Sequence, residues 1–334
     1  MLGSDELEYV PWVGNGELPE ESLSDHYDIL NIISYGRMGK IYLAAERTTG
    51  AEVALKAVCR DMCRRRDVQK EYSYALGLQH PNLVMATARL FQTDLYLVFP
   101  VEYAPYGDLG ALLVTRKLED NLVRRLAEQV SCALMYMHSL GLVHGDITPE
   151  NIFLFRPNIS HIKIGDFGCT SREGSYVRRG FGVGSYTPPE LTNGEPYYTF
   201  TAQDSWSVGI LLLHCLTGSP PWVIANSTDP DYQNFKDWQR KKSTRVPRTF
   251  KRFTVRILRL LRRLLEPRTT SRYQVKEVFK YVEDDWIIKS RERSDSQVDT
   301  DAALAHCFTV QLQLQQRQHQ PESDKRHGWR QRHK

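Results

Sequence analysis

Apolar and polar residues alternate in three segments that begin at Tyr27. The segments read YDILNII, KIYLAAE and EVALKAV, and a turn at Thr49 and Gly50 separates the last two. Alternation with a period of two is typical of strands that bury one face. The pattern therefore predicts three consecutive strands, with a further strand over residues 95–99.

Helical spacing replaces this alternation in later stretches. Residues 63–78 follow the third strand and are predicted to form a helix that carries Glu71. The segment ILLLHCL, after Gly209, is almost wholly apolar, which is typical of a buried helix. Another predicted helix has core positions at Leu122, Leu126, Val130, Ala133, Leu134 and Met137.

Arginines recur near the end of the patterned region. One helical face is predicted to carry Arg248, Arg252, Arg256, Arg259 and Arg263, opposite Phe253, Ile257, Leu260, Leu261 and Leu264. A solvated outer face is the preferred interpretation, and a docking site for acidic partners is the alternative.

The two ends of the chain differ from its middle. Residues 1–26 are acidic and interrupted by proline and glycine, so we interpret them as an N-terminal extension. Residues 287–334 are rich in Gln, His and Arg with little apolar content, and they are predicted to form a disordered tail.

Composition narrows the functional classes. The chain has 334 residues, 41% apolar and 25% charged, which is enough to bury a large core. Its net charge of +4 is too small to indicate a nucleic-acid partner. Six irregularly spaced cysteines without a secretory apolar region favour reduced thiols in a cytoplasmic protein. No apolar run reaches the roughly 18 residues that span a membrane, so no membrane partner is expected.

One stretch carries the candidate chemistry. Residues 144–151 read HGDITPEN, and DFG follows at residues 166–168 after one short predicted strand. A strand-loop-strand hairpin can bring Asp146, Asn151 and Asp166 together around Mg²⁺ and a triphosphate. Asp146 would face the attacking hydroxyl, while the other two offer oxygens to a hard cation that keeps part of its water shell. The stretch therefore predicts a phosphoryl-transfer centre.

A second candidate feature lies in the predicted strands. The turn SYGRMG joins the first two, and glycines in such a turn let backbone N–H groups approach phosphates without a Cβ in the way. On the third strand, Lys56 stands among apolar neighbours, where an unpaired ammonium would be costly.

These motifs, together with Pro189 and Glu190 further on, resemble those of the protein kinases in order and spacing. The resemblance covers residues 27–286. It implies an α+β, bilobal fold, with a small, mostly antiparallel β N-lobe over residues 27–103 and a larger, mostly helical C-lobe over residues 104–286. It also implies a serine/threonine protein kinase that uses ATP and Mg²⁺ and acts on a protein substrate.

The resemblance further implies roles for single residues. Asp146 is the catalytic residue, Asn151 and Asp166 are the metal ligands, and Lys56 pairs with Glu71 and the α- and β-phosphates. The other cofactor-binding residues fall into three groups. Ser34, which replaces a glycine of the family, Gly36 and Gly39 are implied for the phosphates, and Ile41, Ala54 and Phe153 for the adenine faces. Backbone groups of Glu102 and Ala104 are implied for the adenine edge, and Asp108 for the ribose.

Two further pairings and a subfamily follow from the same resemblance. Asp204 is expected to anchor the catalytic loop, and Arg272 to pair with Glu190. The segments HYDIL, EYAPYGDL and EVFKYVEDDWI are similar to those of the SH3-binding-domain serine/threonine kinase family. No P-x-x-P segment occurs, so SH3 binding by this chain is not expected. We expect a monomer.

Three departures from the family pattern concern activity. Gly145 replaces an arginine that in many kinases binds a phosphorylated activation loop, Thr148 replaces a lysine beside the transferring phosphate, and Val183 replaces a threonine that bonds to that lysine and to the catalytic aspartate. One alternative is therefore a nucleotide-binding scaffold with little catalysis. Another is a small-molecule phosphotransferase, because H-G-D-x-x-x-x-N also resembles the loop of aminoglycoside and choline kinases.

Overall fold

The computed structural model describes residues 17–36, 38–178 and 183–288. The predictions for the first part of the acidic extension and for the tail after residue 288 lie outside these residues. No helix in the described ranges is long and apolar enough to cross a membrane.

The N-lobe is built around one five-stranded antiparallel sheet with the order β1-β2-β3-β5-β4. The strands are β1 (Tyr27–Gly36), β2 (Gly39–Glu46), β3 (Glu52–Cys59), β4 (Phe91–Gln92) and β5 (Tyr96–Glu102). All four strands predicted from the alternation are confirmed. Strand β4 is too short to show a periodic pattern.

Two helices belong to the N-lobe. They are α1 (Leu23–His26), which precedes β1, and α2 (Arg65–Gly77), which confirms the helix predicted over residues 63–78. Successive residues of a strand point to opposite faces. Accordingly, Leu97 and Phe99 of β5 pack in one apolar cluster with Tyr72 of α2, whereas Val98 packs with Leu55 in a second cluster.

The C-lobe is mostly helical. Its helices are α3 (Leu109–Thr115), α4 (Asp120–Ser139), α5 (Thr201–Thr217), α6 (Pro230–Gln239) and α7 (Val255–Leu264). All six apolar positions predicted for the second helical stretch are buried in α4, and the apolar ILLLHCL segment lies in the buried part of α5. The bilobal α+β fold is therefore confirmed.

Short strand pairs connect these helices. They are β6 (Leu142–Val143) with β9 (Ser171–Arg172), β7 (Ile152–Arg156) with β8 (His161–Ile164), and β10 (Tyr176–Val177) with β11 (Tyr197–Tyr198). The β7-β8 hairpin matters most for the site, because HGDITPEN ends at its first strand and DFG begins just after its second.

The arginine face expected around α7 was wrong in its extent. The helix begins at Val255, so Arg248 and Arg252 lie before it. Two of the remaining arginines are bonded within the C-lobe rather than simply solvated. Arg256 Nε donates to Asp284 at 2.7 Å, and Arg263 forms an ion pair with Glu277. Helical spacing was extended too far here, because it does not locate a helix start.

Candidate active site

Lys56 lies between two carboxylates at the cleft between the lobes. Its Nζ is 2.5 Å from Glu71 Oε1 on α2 and 3.1 Å from Asp166 Oδ1 after β8. Burial alone would lower the pKa of Lys56, but the two carboxylates outweigh it and raise that pKa above its ordinary value. The same lysine holds the pKa of Asp166 below its usual range against the effect of burial. Lys56 and Asp166 are therefore charged at neutral pH.

The catalytic loop and the β7-β8 hairpin bring the three predicted polar residues together. The N–H of Gly165 donates to the carbonyl of Asn151 at 3.0 Å, which places Asp166 beside Asn151 across the hairpin. Asn151 Nδ2 donates to the backbone carbonyl and to the carboxylate of Asp146, both at 2.9 Å. The predicted strand-loop-strand arrangement is therefore present.

A buried carboxylate supports the loop from below, as expected for Asp204. It accepts the backbone N–H groups of His144 and Gly145, each at 2.9 Å, and contacts His138 Nε2 at 2.8 Å. Burial would raise the pKa of Asp204, but the hydrogen bonds and the charges of His138 and His144 outweigh it and lower that pKa. Asp204 thus fixes the backbone immediately before Asp146.

Gly145 has a backbone conformation that favours glycine. Its φ is +80°, a region that side chains other than glycine rarely adopt, and a Cβ there would lie 3.0 Å from the carbonyl oxygen of Cys169. The residue after His144 thus packs directly against the segment that follows DFG. Replacement of the family's arginine by glycine is compatible with a well-formed loop.

The expected pair between Arg272 and Glu190 is bidentate. Arg272 Nη1 and Nη2 donate to the two carboxylate oxygens of Glu190 at 2.7 and 2.9 Å. The guanidinium also lies 4.9 Å from the ring centroid of Trp206 in α5. This contact fixes Glu190, at the end of the segment that follows DFG, to the helical core.

The glycine-rich turn is a tight hairpin whose two glycines have different surroundings. Gly36 pairs with Gly39, and Ser34 pairs with Ile41, in the β1-β2 ladder. A Cβ on Gly39 would lie 2.0 Å from the carbonyl oxygen of Ala57, so β3 leaves no room for any side chain there. Gly39 is therefore required for strand packing, a constraint that the turn motif does not reveal.

The residues implied for the adenine and ribose come from both lobes. Ala54 lies opposite Val101 in the β3-β5 ladder, and Phe153 of β7 forms an isolated bridge with Asp108. Asp108 Oδ1 accepts the N–H of Ala111 at 2.8 Å and so caps α3, and burial raises the pKa of this carboxyl. Ile41 lies on β2, Glu102 ends β5, and Ala104 follows it. Their contacts with nucleotide stay predictions.

The side chain of Glu102 has contacts that the family resemblance does not indicate. Glu102 Oε1 lies 2.5 Å from Nζ of Lys163, and its other oxygen accepts the N–H of Met85 at 2.8 Å. Lys163 is only 8% exposed and also lies over the Phe155 ring, 5.1 Å from its centroid. The only signal in the sequence is a lysine between two isoleucines of a predicted strand.

Comparison with known proteins decides the family. Residues 27–287 match the family described as the protein kinase domain. The chain belongs to the protein kinase family. The serine/threonine-protein kinase meng-po of Drosophila melanogaster is 38% identical over 277 residues, which cover 81% of this chain and 61% of the fly protein. This kinase therefore matches less than two thirds of that relative's length.

Relatives named SBK1 support the subfamily. The serine/threonine-protein kinase SBK1 of Danio rerio is 34% identical over 293 residues, covering 86% of this chain and 76% of the fish protein. SBK1 of Mus musculus is 34% identical over 281 residues, covering 83% of this chain and 67% of the mouse protein. The resemblance to the SH3-binding-domain kinases is confirmed.

Proposed function

We propose that this kinase transfers the γ-phosphoryl group of ATP to serine and threonine hydroxyls of protein substrates. The observation that carries the proposal is the position of Lys56, which contacts Glu71 and Asp166 at once, at 2.5 and 3.1 Å. This contact joins α2, the sheet and the DFG segment, which supports the proposal because kinases use the Lys–Glu pair together with the DFG aspartate.

ATP and Mg²⁺ are the cofactors that protein kinases use, and the residues here suit both. Asn151 and Asp166 offer amide and carboxylate oxygens, which are the donors Mg²⁺ prefers. When bound, the metal stabilises negative charge on the phosphates. Lys56 is proposed to bind the α- and β-phosphates, Ser34, Gly36 and Gly39 the phosphate chain, Ile41, Ala54 and Phe153 the adenine faces, Glu102 and Ala104 the adenine edge, and Asp108 the ribose.

Asp146 is proposed to orient the substrate hydroxyl and to accept its proton. Asn151 donates to one oxygen of that carboxylate, and Asp204 fixes the backbone before it, so the carboxylate has a defined orientation. Such positioning, with charge stabilisation by Lys56, supplies most of the catalysis in phosphoryl transfer.

Substrate class and location complete the proposal. The presence of a segment from DFG to Pro189 and of helix α5 favours a protein substrate over a small molecule, because in the protein kinases these elements build a peptide-binding shelf that small-molecule phosphotransferases lack. A cytoplasmic location is proposed from the cysteines: the five in the described ranges, Cys59, Cys63, Cys132, Cys169 and Cys215, are all free thiols. We also propose that the kinase is a monomer.

The test is a phosphorylation assay on a mixed peptide library with Mg-ATP. Wild type is expected to label Ser and Thr peptides, and Asp146→Asn to lose about 10²- to 10⁴-fold of the turnover, the range of general-base contributions. Thermal shift with Mg-ATP checks that the variant still binds nucleotide. A wild type that labels no peptide, and not itself, with Asp146→Asn indistinguishable from it, would replace this proposal by the scaffold.

A further inference from the structure

Residues ahead of the family match pack onto the N-lobe as part of it. Leu18 is only 6% exposed and lies in an apolar cluster with Val68 and Tyr72 of α2. The remaining buried members of this cluster come from the sheet side: Val58, Leu90, Leu97 and Phe99. Leu18 therefore belongs to the layer that separates α2 from the sheet.

Backbone hydrogen bonds hold this segment against the open edge of the sheet. The N–H of Gln92 in β4 donates to the carbonyl of Pro19, and the N–H of Glu21 donates to the carbonyl of Gln92, both at 2.9 Å. Glu20 thus forms a parallel bridge with Gln92 on a strand that would otherwise leave its polar groups unpaired. Glu21 also forms an ion pair with Arg89 and contacts Nε2 of His26 at 3.0 Å.

The apolar layer between α2 and the sheet lies next to Glu71, the partner of Lys56. Glu71 precedes Tyr72 on α2, and the Tyr72 ring meets Phe99 edge to face with 5.7 Å between centroids. A helix of this length is held in place mainly by packing of its apolar face. Removing Leu18 would leave a cavity between α2 and the sheet, and partial collapse into a cavity moves the neighbouring element.

We propose that Leu18, fastened to the sheet through Gln92, is a positioning residue for the Lys56–Glu71 pair. It keeps α2 at the position from which Glu71 reaches Lys56. The inference rests on the proposed function, since it concerns the same nucleotide site. Residues 18–21 would then help the N-lobe to hold this pair, although they precede the residues that match the family.

The test compares two Leu→Ala changes in the full-length chain. Leu18→Ala acts under α2, whereas Leu23→Ala, a few residues further on, acts at the other cluster, with Tyr27 and Ala44. Leu18→Ala is expected to weaken Mg-ATP affinity and to lower peptide turnover by about fivefold, by populating a displaced α2. Leu23→Ala should leave both within about twofold, and Leu18→Met should be close to wild type.

A double-mutant cycle separates positioning from simple destabilisation. In a Glu71→Ala background, Leu18→Ala should no longer change Mg-ATP affinity, because the carboxylate that it positions is gone. Leu18→Val removes less of the side chain and should give a smaller change in the same direction, which keeps the test decisive if Leu18→Ala does not fold.

Three outcomes would overturn the inference. Leu18→Ala and Leu23→Ala could change Mg-ATP affinity equally, Leu18→Ala could lower the melting temperature alone, or its effect could persist undiminished with Glu71→Ala. A wild type that transfers no phosphate would instead overturn the proposed function. Nucleotide affinity would still decide the role of Leu18 in that case.

Discussion

Charged side chains are held in different ways on the two sides of the cleft. In the C-lobe, Asp204 and Arg272 are almost fully buried, with side chains 1% and 0% exposed, and each is bonded within that lobe. At the cleft, Lys56 is held by carboxylates from α2 and from the DFG segment, and its side chain and that of Asp166 are 24% and 45% exposed. The first arrangement is closed to solvent, and the second is partly exposed to it.

Because of this difference, the two sets of charges should contribute to different properties: the buried ones to stability and the exposed ones to function. A buried ion pair adds little net stability compared with well-packed apolar residues, yet removing one partner is costly because it leaves an uncompensated buried charge. Charges at an open cleft can be rehydrated when a partner is lost. Loss of a partner in the C-lobe pairs should therefore lower the free energy of unfolding most. Loss of a charge at the cleft should lower the affinity for nucleotide most.

The largest expected effect is that of Arg272→Ala on stability. Its loss leaves Glu190 unpaired and removes the contact with Trp206, so the free energy of unfolding should fall by about 3–5 kcal/mol in urea denaturation. Arg256→Ala is the matched control, because Arg256 pairs with Asp284 at the surface and its loss should cost about 1 kcal/mol or less. Equal losses would show that burial does not make the Arg272–Glu190 pair more costly to break than a surface pair.

Most of the charged contacts in this comparison were predictable from the sequence, because their residues belong to protein kinase motifs. The contacts of Lys56 with Glu71, of Arg272 with Glu190 and of Asp204 with the catalytic loop follow from the family resemblance once the motifs are found in order. The roles of these residues toward nucleotide and substrate stay predictions.

Other contacts had little or no signal in the sequence. The docking of Leu18 and the bond between Lys163 and Glu102 join residues far apart in the chain, and no motif indicates either pairing. Similarly, helical spacing does not show that α7 begins at Val255, so it placed Arg248 and Arg252 on this helix wrongly.

Lys56→Met should affect nucleotide binding more than it affects the stability of the protein without nucleotide. In wild type, Mg-ATP at 100 times its dissociation constant should add about 2.7 kcal/mol of stability. The variant should lose most of this gain, while its unfolding free energy without nucleotide should fall less than that of Arg272→Ala. Thermal shift with and without Mg-ATP measures both. An unchanged nucleotide shift would show that Lys56 does not bind the phosphates.

A smaller effect is expected from pH. Because the folded-state pKa of Asp204 is depressed, its stabilisation is fully present above the ordinary carboxyl pKa and is lost as pH falls through the depressed value. Asp204→Asn should therefore be about 2 kcal/mol less stable than wild type at pH 7, with the gap narrowing below about pH 4. Urea denaturation across pH 3–7 checks this. A gap independent of pH would mean that the charge of Asp204 is not what stabilises the loop.

The smallest expected effect concerns the departures from the family pattern. Thr148 lies immediately before the turn Pro149–Asn151, and its carbonyl accepts the N–H of Asn151 at 3.2 Å, so the loop is formed without the family's lysine. If Lys56 and an Mg²⁺ ion held by Asn151 and Asp166 supply the needed positive charge, Thr148→Lys with Val183→Thr should change peptide turnover by no more than about threefold. Asp146→Asn in the same background controls for contaminating activity. A rise of tenfold or more would show that the natural residues limit catalysis, because the added lysine would then be stabilising charge that this site leaves exposed.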